Sequence, residues 1–178
     1  YMNPQDPETC RLLLKVGAGI GKTLTSLECA KPYMNMFQQL YNKSGESRYV
    51  FIIGYAKQVF ITELMRYPEL GIITYDELYK KRQIEQKISN SSGVNRERFK
   101  NELSLFNQKI KRRITSETTG GMYRMFGYKQ LVNQLFVDGL PENATQSNIF
   151  ELYKEKKIKV NKMLLSKFLH GIIICDEI

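Results

Sequence analysis

Short apolar runs alternate along the chain with longer segments in which apolar residues recur every three or four positions. The runs are rich in β-branched and aromatic residues, which predicts strands buried on both faces. The periodic segments predict helices. Because strands that alternate with helices are typical of parallel βαβ units, the sequence predicts an α/β fold with a parallel sheet. The predicted strands cover residues 11–16, 49–54, 71–75, 122–126 and 171–175.

The predicted helices lie between these strands. Lys31-Pro32 should divide the first helical segment, because proline lacks a backbone donor, and Asp76 should cap the helix that begins at Glu77. A further break is expected near Val160-Asn161. The helical segments cover residues 22–30, 33–41, 57–67, 77–89, 94–114, 127–136 and 145–169.

The positive charge of the chain is concentrated in one region. The formal net charge is +9, and the segment from Lys80 to Arg113 alone has eleven basic and three acidic residues. Its second half has apolar residues at helical spacing, so the segment predicts a basic helical hairpin inserted at about 80–118. The charge is consistent with a polyanionic partner or with a solvated helical face. The apolar positions are Phe99, Leu103, Phe106, Ile110 and Ile114.

A glycine-rich loop joins the first predicted strand to the first predicted helix. Its residues are Gly17, Ala18, Gly19, Ile20, Gly21, Lys22 and Thr23. A loop in this context turns backbone N–H groups toward phosphates, so we expect it to bind ATP. Lys22 would then reach the β- and γ-phosphates, and the Thr23 hydroxyl would bind Mg²⁺.

Two other interpretations of the loop were weighed. Val16 occupies the place where the full P-loop pattern has its first glycine, so a glycine-rich turn with an accidental Gly-Lys-Thr remains an alternative. A dinucleotide-binding fingerprint fits less well, because its third glycine would fall on Lys22.

Two acidic residues, Asp176 and Glu177, follow the last predicted strand. Ligands of open α/β sheets bind beyond the carboxyl ends of the strands, and nucleotide hydrolysis needs carboxylates for the metal and for the attacking water. We therefore assign Asp176 to Mg²⁺ and Glu177 to the water, with Lys22 and Glu177 as the catalytic residues.

Several other functional classes are disfavoured. The three cysteines lack metal-ligand spacing, and His170 is the single histidine, so a zinc site or a histidine-based triad is not expected. No apolar run is long enough for a membrane span, so no membrane partner is predicted. The chain opens on Tyr1, and we expect it to be a piece of a longer protein.

Motifs spread over nearly the whole chain resemble the first RecA-like domain of superfamily II helicases and ATPases. More narrowly, the chain is similar to those of nucleo-cytoplasmic large DNA viruses. That group includes poxvirus nucleoside triphosphatase I and the small subunit of the poxvirus early transcription factor. The matching stretches are Tyr1-Met-Asn-Pro4, Leu12-Leu-Leu14, the glycine loop, Gly127-Tyr-Lys-x-Leu-Val-Asn133 and Ile173-Ile-Cys-Asp-Glu-Ile178.

This resemblance implies a P-loop NTPase domain over residues 1–178, truncated, with its sheet incomplete at the C-terminus. It implies ATP hydrolysis coupled to movement on DNA or RNA, in the viral factory or virion, with viral transcription machinery and a second RecA-like domain as partners. By family analogy Lys57 would contact nucleic acid, and Arg112 and Arg113 at the end of the hairpin are further candidates. A P-loop ATPase that acts as a transcription factor without unwinding, or a noncatalytic nucleic-acid-binding module, remain alternatives.

Overall fold

The computed structural model describes residues 21–55, 57–116 and 121–176. These residues form a mixed α/β structure with a three-stranded parallel sheet. The chain divides into two compact units, and each is described by itself. Unit 1 comprises Tyr1–Asn35 and Gln58–Met122, and unit 2 comprises Met36–Lys57 and Tyr123–Ile178.

The sheet lies in unit 2, with the order β2-β1-β3. The first strand pairs in parallel with both others, in a register that places Ile53 opposite Phe126 and Cys175. All four of its residues are buried, as expected for the central strand of a parallel sheet. The strands predicted at 49–54, 122–126 and 171–175 are therefore confirmed. Their bounds are Val50–Ile53 (β1), Tyr123–Phe126 (β2) and Ile172–Cys175 (β3).

Seven α-helices lie within the described residues, with a 3-10 turn at Pro68–Leu70. The helices are Lys22–Ser44 (α1), Lys57–Leu64 (α2), Tyr75–Ser89 (α3), Gly93–Thr115 (α4), Tyr128–Leu135 (α5), Ile149–Lys154 (α6) and Lys162–Leu169 (α7). No helix of these described ranges combines the length and apolarity that crossing a bilayer requires.

One face of the sheet in unit 2 is covered by aromatic and aliphatic side chains. Tyr49, Phe51 and Phe126 form its buried cluster, and Leu131 of α5 and Phe168 of α7 pack against it. The Phe51 and Phe168 rings are 4.1 Å apart between centroids. Phe168 therefore anchors α7 on β1. A second cluster of unit 2 is built around Phe136, Leu152 and Ile158.

Unit 1 contains the predicted hairpin, formed by α3 and α4 with its break at Asn90–Ser92, as the sequence indicated. Ile84 of α3 and the α4 residues Ile110 and Ile114 are buried. The helix face predicted from the spacing of Phe99, Leu103, Phe106, Ile110 and Ile114 is thus buried at its C-terminal end.

The segment predicted as helical at 145–169 forms two short helices, α6 and α7, and Val160 between them forms an antiparallel bridge with Phe136. Three other local predictions were wrong. Residues 71–73 form a bend rather than a strand, and Gly71 has φ +79°, which is a left-handed conformation. Thr74, not Asp76, caps α3. Its side chain accepts from the Glu77 N–H while the Glu77 side chain accepts from the Thr74 N–H, so a capping box decides the helix start.

The third error concerns the first helix, which runs through Pro32 without a break. Proline removes one hydrogen bond from a helix interior. On either side of it, Leu27, Ala30, Tyr33 and Phe37 are buried at helical spacing along α1. The burial of these side chains offsets the lost bond. The strand predicted at 11–16 lies outside the described residues.

Candidate functional site

The N-terminus of α1 holds the described end of the glycine loop. Gly21 has φ +78°, which strains any residue with a side chain, and a Cβ built there meets nothing within 4 Å. Its carbonyl accepts the Thr25 N–H at 2.9 Å, so the chain turns from Gly21 directly into the helix. Lys22 and Thr23 are the first two residues of α1. Gly17, Ala18, Gly19 and Ile20 lie outside the described residues.

The first turn of α1 can accept an anion. A helix begins with backbone N–H groups that have no partner within the helix, and its dipole is positive at this end. No acidic side chain occupies this first turn. Phosphate oxygens bound here would therefore meet the backbone N–H groups of this turn together with the Lys22 ammonium.

The three strands of unit 2 end at the same edge of the sheet, where Asp176 follows β3. The Asp176 N–H donates to the carbonyl of Ile53 at 2.9 Å, and the Gly54 N–H donates to the carbonyl of Phe126 at 3.0 Å. The sheet's hydrogen bonding thus continues past the last paired residues. It fixes the backbone from which the Asp176 carboxylate projects. Glu177 lies outside the described residues.

Gly54 allows Asp176 to take this place. A Cβ at position 54 would lie 3.0 Å from the Asp176 Cβ and 3.2 Å from its carbonyl oxygen. Any larger residue would therefore push the end of β3 away from β1. Sequence reasoning treated Gly54 only as the end of a strand. A glycine directly after a fully apolar run was the signal that could have revealed this close approach.

Tyr128 makes the second contact to Asp176 that sequence reasoning missed. Its hydroxyl donates to the Asp176 carbonyl oxygen at 2.7 Å. The Tyr55 ring, 77 % exposed, packs against the Tyr128 ring edge to face, with 5.1 Å between centroids. The segments that follow the three strands thus meet at one edge of the sheet. They bring Gly54, Tyr55, Tyr128 and Asp176 together there.

Lys57 lies at the same edge, as the first residue of α2. Its ammonium donates to the Gln130 side-chain oxygen at 2.5 Å, and its Cε would lie 3.7 Å from a Cβ placed on Gly127. The structure therefore brings Lys57 together with the loop after β2. Its assignment to nucleic acid stays a prediction.

Arg112 and Arg113 lie in the last turn of α4 in unit 1. The Arg113 guanidinium donates to both carboxylate oxygens of Glu77, at 2.7 and 2.8 Å, and to the Ile72 carbonyl at 3.4 Å. This bidentate pair holds the pKa of Glu77 below its usual range, although partial burial opposes the shift. Arg113 therefore joins α4 to the start of α3, while Arg112 is exposed.

The Mg²⁺ ligands predicted from the sequence include one described residue of each unit, Thr23 of unit 1 and Asp176 of unit 2. Within the described ranges no three His, Cys, Asp or Glu side chains cluster as a metal site would require. Protein Mg²⁺ sites for nucleotides commonly use one or two carboxylates plus phosphate oxygens and water. Asp176 at a fixed strand end and a Thr23 hydroxyl at a helix N-terminus supply oxygens of the kind that Mg²⁺ prefers.

The chain is similar to viral proteins described as "Early transcription factor large subunit homolog". In African swine fever virus isolates from Kenya and Malawi and in the Vero-adapted Badajoz strain, these are 26 % identical to it over 204 aligned residues. The alignments cover all of this chain and 18 % of each relative, so the chain spans about a fifth of their length. No protein-family model matches the chain, and no solved structure matches it.

The name of these relatives refers to viral early transcription, the setting that the sequence resemblance indicated. The relatives carry the large-subunit name, whereas the resemblance had pointed, among others, to the small subunit of the poxvirus factor.

Proposed function

We propose that the chain is the nucleotide-binding part of a superfamily II ATPase that acts on nucleic acid during viral early transcription. Two elements, one in each unit, support the proposal. One is Gly21-Lys22-Thr23 at the start of α1, with Gly21 in a left-handed turn, and the other is Asp176 held at the carboxyl end of β3. A RecA-like, P-loop fold with ATP as ligand is part of this proposal.

Each residue would have a separate task. The α1 N–H groups and Lys22 would bind the phosphates and neutralise their charge, and the Thr23 hydroxyl and the Asp176 carboxylate would hold Mg²⁺. When bound, Mg²⁺ would neutralise charge that develops between the β- and γ-phosphates. Glu177 would orient the attacking water and accept its proton. Gly17, Ala18, Gly19, Ile20 and Gly21 would form the backbone cradle.

Nucleic acid is the proposed partner of the basic regions, with Lys57, Arg112 and Arg113 as candidate contacts. The whole protein would also contain a second RecA-like domain that completes the nucleotide site. The length of the relatives is compatible with a second domain, because they are more than five times as long as their aligned part. Charge reversal at Arg112 should lower the slope of log affinity against log salt by about 1 if that residue binds a phosphate.

The test is ATP hydrolysis by the full-length protein, with and without DNA or RNA. Lys22→Ala should abolish turnover, and Glu177→Gln should stop hydrolysis while leaving ATP binding near normal. Lys43, an exposed lysine in the last turn of α1 and outside the basic segment, supplies the matched control, because Lys43→Ala should leave turnover unchanged. Turnover that survives Lys22→Ala would remove Lys22 from the nucleotide site. A wild type that binds nucleic acid but hydrolyses no ATP would instead leave the noncatalytic nucleic-acid-binding module.

A second candidate function is a transcription factor that hydrolyses ATP without separating strands. The relatives are named as a transcription factor rather than as a helicase, which favours this candidate. A duplex-unwinding assay separates the two candidates, since both predict ATP hydrolysis stimulated by nucleic acid.

A further inference from the structure

We propose that Tyr128 is a positioning residue for Asp176: its hydroxyl holds the backbone of Asp176, whose carboxylate binds Mg²⁺. The inference rests on the proposed function, which assigns that carboxylate to the metal. The inference assigns a task to Tyr128, the first residue of α5, which neither the P-loop nor the acidic pair accounts for.

The hydrogen bond is well formed. The distance of 2.7 Å between the Tyr128 hydroxyl and the Asp176 carbonyl oxygen lies at the most frequent value for an O–H···O bond. The Asp176 N–H is already bound to the carbonyl of Ile53 at 2.9 Å. Both backbone polar groups of Asp176 are therefore fixed, the first by the neighbouring strand and the second by Tyr128. This matters because Asp176 follows the last paired residue of β3, where a strand would otherwise be free to fray.

Tyr128 is itself held in place from two directions. It is the first residue of α5, and Leu131 in the next turn of that helix packs on the buried Tyr49, Phe51 and Phe126 cluster. On its outer side the Tyr55 ring packs edge to face against it, at an interplanar angle of 60°. The hydroxyl is therefore presented by a ring that is fixed to the sheet.

Gly54 allows Asp176 to lie this close to β1, because a Cβ placed on Gly54 would lie only 3.0 Å from the Asp176 Cβ. The hydrogen bonds with Tyr128 and with the Ile53 carbonyl then hold the backbone of Asp176 in one position. Mg²⁺ demands near-ideal octahedral geometry, so a carboxylate that binds it gains from this restriction.

The expected effect is on metal binding. Residues that orient a metal ligand typically alter metal affinity 10- to 100-fold when they are removed. Because Tyr128 acts on the backbone of Asp176 rather than on its carboxylate, we expect the lower end, about tenfold.

The experiment compares full-length wild type with Tyr128→Phe, which removes the hydroxyl and keeps the ring. The first readout needs neither nucleotide nor metal: backbone hydrogen exchange in the peptide that contains Asp176 should accelerate in the variant. The second is binding of a fluorescent ATP analogue titrated with Mg²⁺. The Mg²⁺ concentration for half-maximal binding should rise about tenfold, whereas binding in EDTA should not change.

Tyr79→Phe is the matched control, because Tyr79 is a tyrosine of unit 1 with a ring that is 65 % exposed. It should alter neither readout. Tyr55→Ala is the second variant, because it removes the outer support of the Tyr128 ring while leaving the hydroxyl. It should shift both readouts in the same direction as Tyr128→Phe and by less.

The outcomes are distinct. Wild-type Mg²⁺ dependence in Tyr128→Phe, beside a clear loss in Asp176→Asn, would overturn the positioning role and leave the proposed function intact. A fall in the amount of active protein at unchanged Mg²⁺ dependence would show a merely structural bond and would overturn it too. Wild type that binds no nucleotide in a Mg²⁺-dependent way would overturn the proposed function, and the inference with it.

Discussion

Replacing Arg113 by methionine tests how the two helices of the basic hairpin are held together. The variant removes two charge-assisted hydrogen bonds to Glu77 and a longer one to the Ile72 carbonyl, while it keeps most of the apolar stem. Glu77 keeps its capping contact with Thr74, so α3 should still begin at the same residue.

The magnitude follows from the geometry. Hydrogen bonds to charged groups contribute about 1.5–3 kcal/mol when shielded, and exposed ion pairs much less. The Arg113 and Glu77 side chains are 35 % and 20 % exposed, so solvent screens part of the gain. We therefore expect Arg113→Met to destabilise the local packing of α4 against α3 by about 2 kcal/mol, which is roughly a thirtyfold change in the opening equilibrium.

Hydrogen-exchange mass spectrometry on the full-length protein measures this opening in peptides from α3 and α4. Arg98→Met is the matched control, because it removes the same charge from an exposed position of α4 and should change stability by less than about 0.5 kcal/mol. A double-mutant cycle with Glu77→Gln, which keeps the capping box, should give a coupling of about 1–2 kcal/mol. Equal effects of Arg98→Met and Arg113→Met would refute the reasoning.

Three further predictions concern the sheet edge, acid stability and the glycine loop. Gly54→Ala should destabilise unit 2 by about 1–3 kcal/mol, because the added Cβ overpacks against Asp176. Gly127→Ala should destabilise it much less, because a Cβ there meets only Lys57, at 3.7 Å. The denaturant midpoints of the two variants test this difference. Because Arg113 lowers the folded-state pKa of Glu77, the ion pair should stabilise the fold fully above the ordinary carboxylate pKa of about 4.3. This stabilisation should be lost as the pH falls below that value. Hydrogen exchange measured from pH 6 to 3 should show the loss in wild type and not in Glu77→Gln. Thr23→Ala should weaken Mg²⁺-dependent ATP binding at least tenfold and leave the helix intact by circular dichroism; unchanged binding would remove Thr23 from the metal site.

The strands of unit 2 could be predicted because burial on both faces leaves an uninterrupted apolar run. Val50–Ile53 and Ile172–Cys175 are such runs, and both were located to within a residue or two. The run at 71–75 looked similar but is not a strand, because the glycine turn before it and the capping box after it leave too few residues to pair. Local hydrogen bonding outweighed β-propensity there.

The sequence shows the motifs of the candidate site but not the contacts that support them. Lys22, Thr23 and Asp176 are assigned from their spacing and residue types, and their roles remain predictions. The contacts of Tyr128 and Gly54 with Asp176 depend on which strands are neighbours. No local sequence pattern predicts the strand order β2-β1-β3. The ion pair between Arg113 and Glu77 likewise joins residues 36 positions apart.

The central place of β1 has a consequence for how the chain folds as it is made. Val50 pairs with Tyr123 on one side and with Ile172 on the other, so its partners are synthesised about 70 and about 120 residues later. At 5–20 residues per second, the interval between the two partners alone lasts roughly 2–10 s. During that time one apolar edge of β1 has no β3 to pair with, and unpaired apolar edges promote aggregation. Folding of unit 2 should therefore be slow and depend on chaperones, and expression at low temperature should increase the soluble yield.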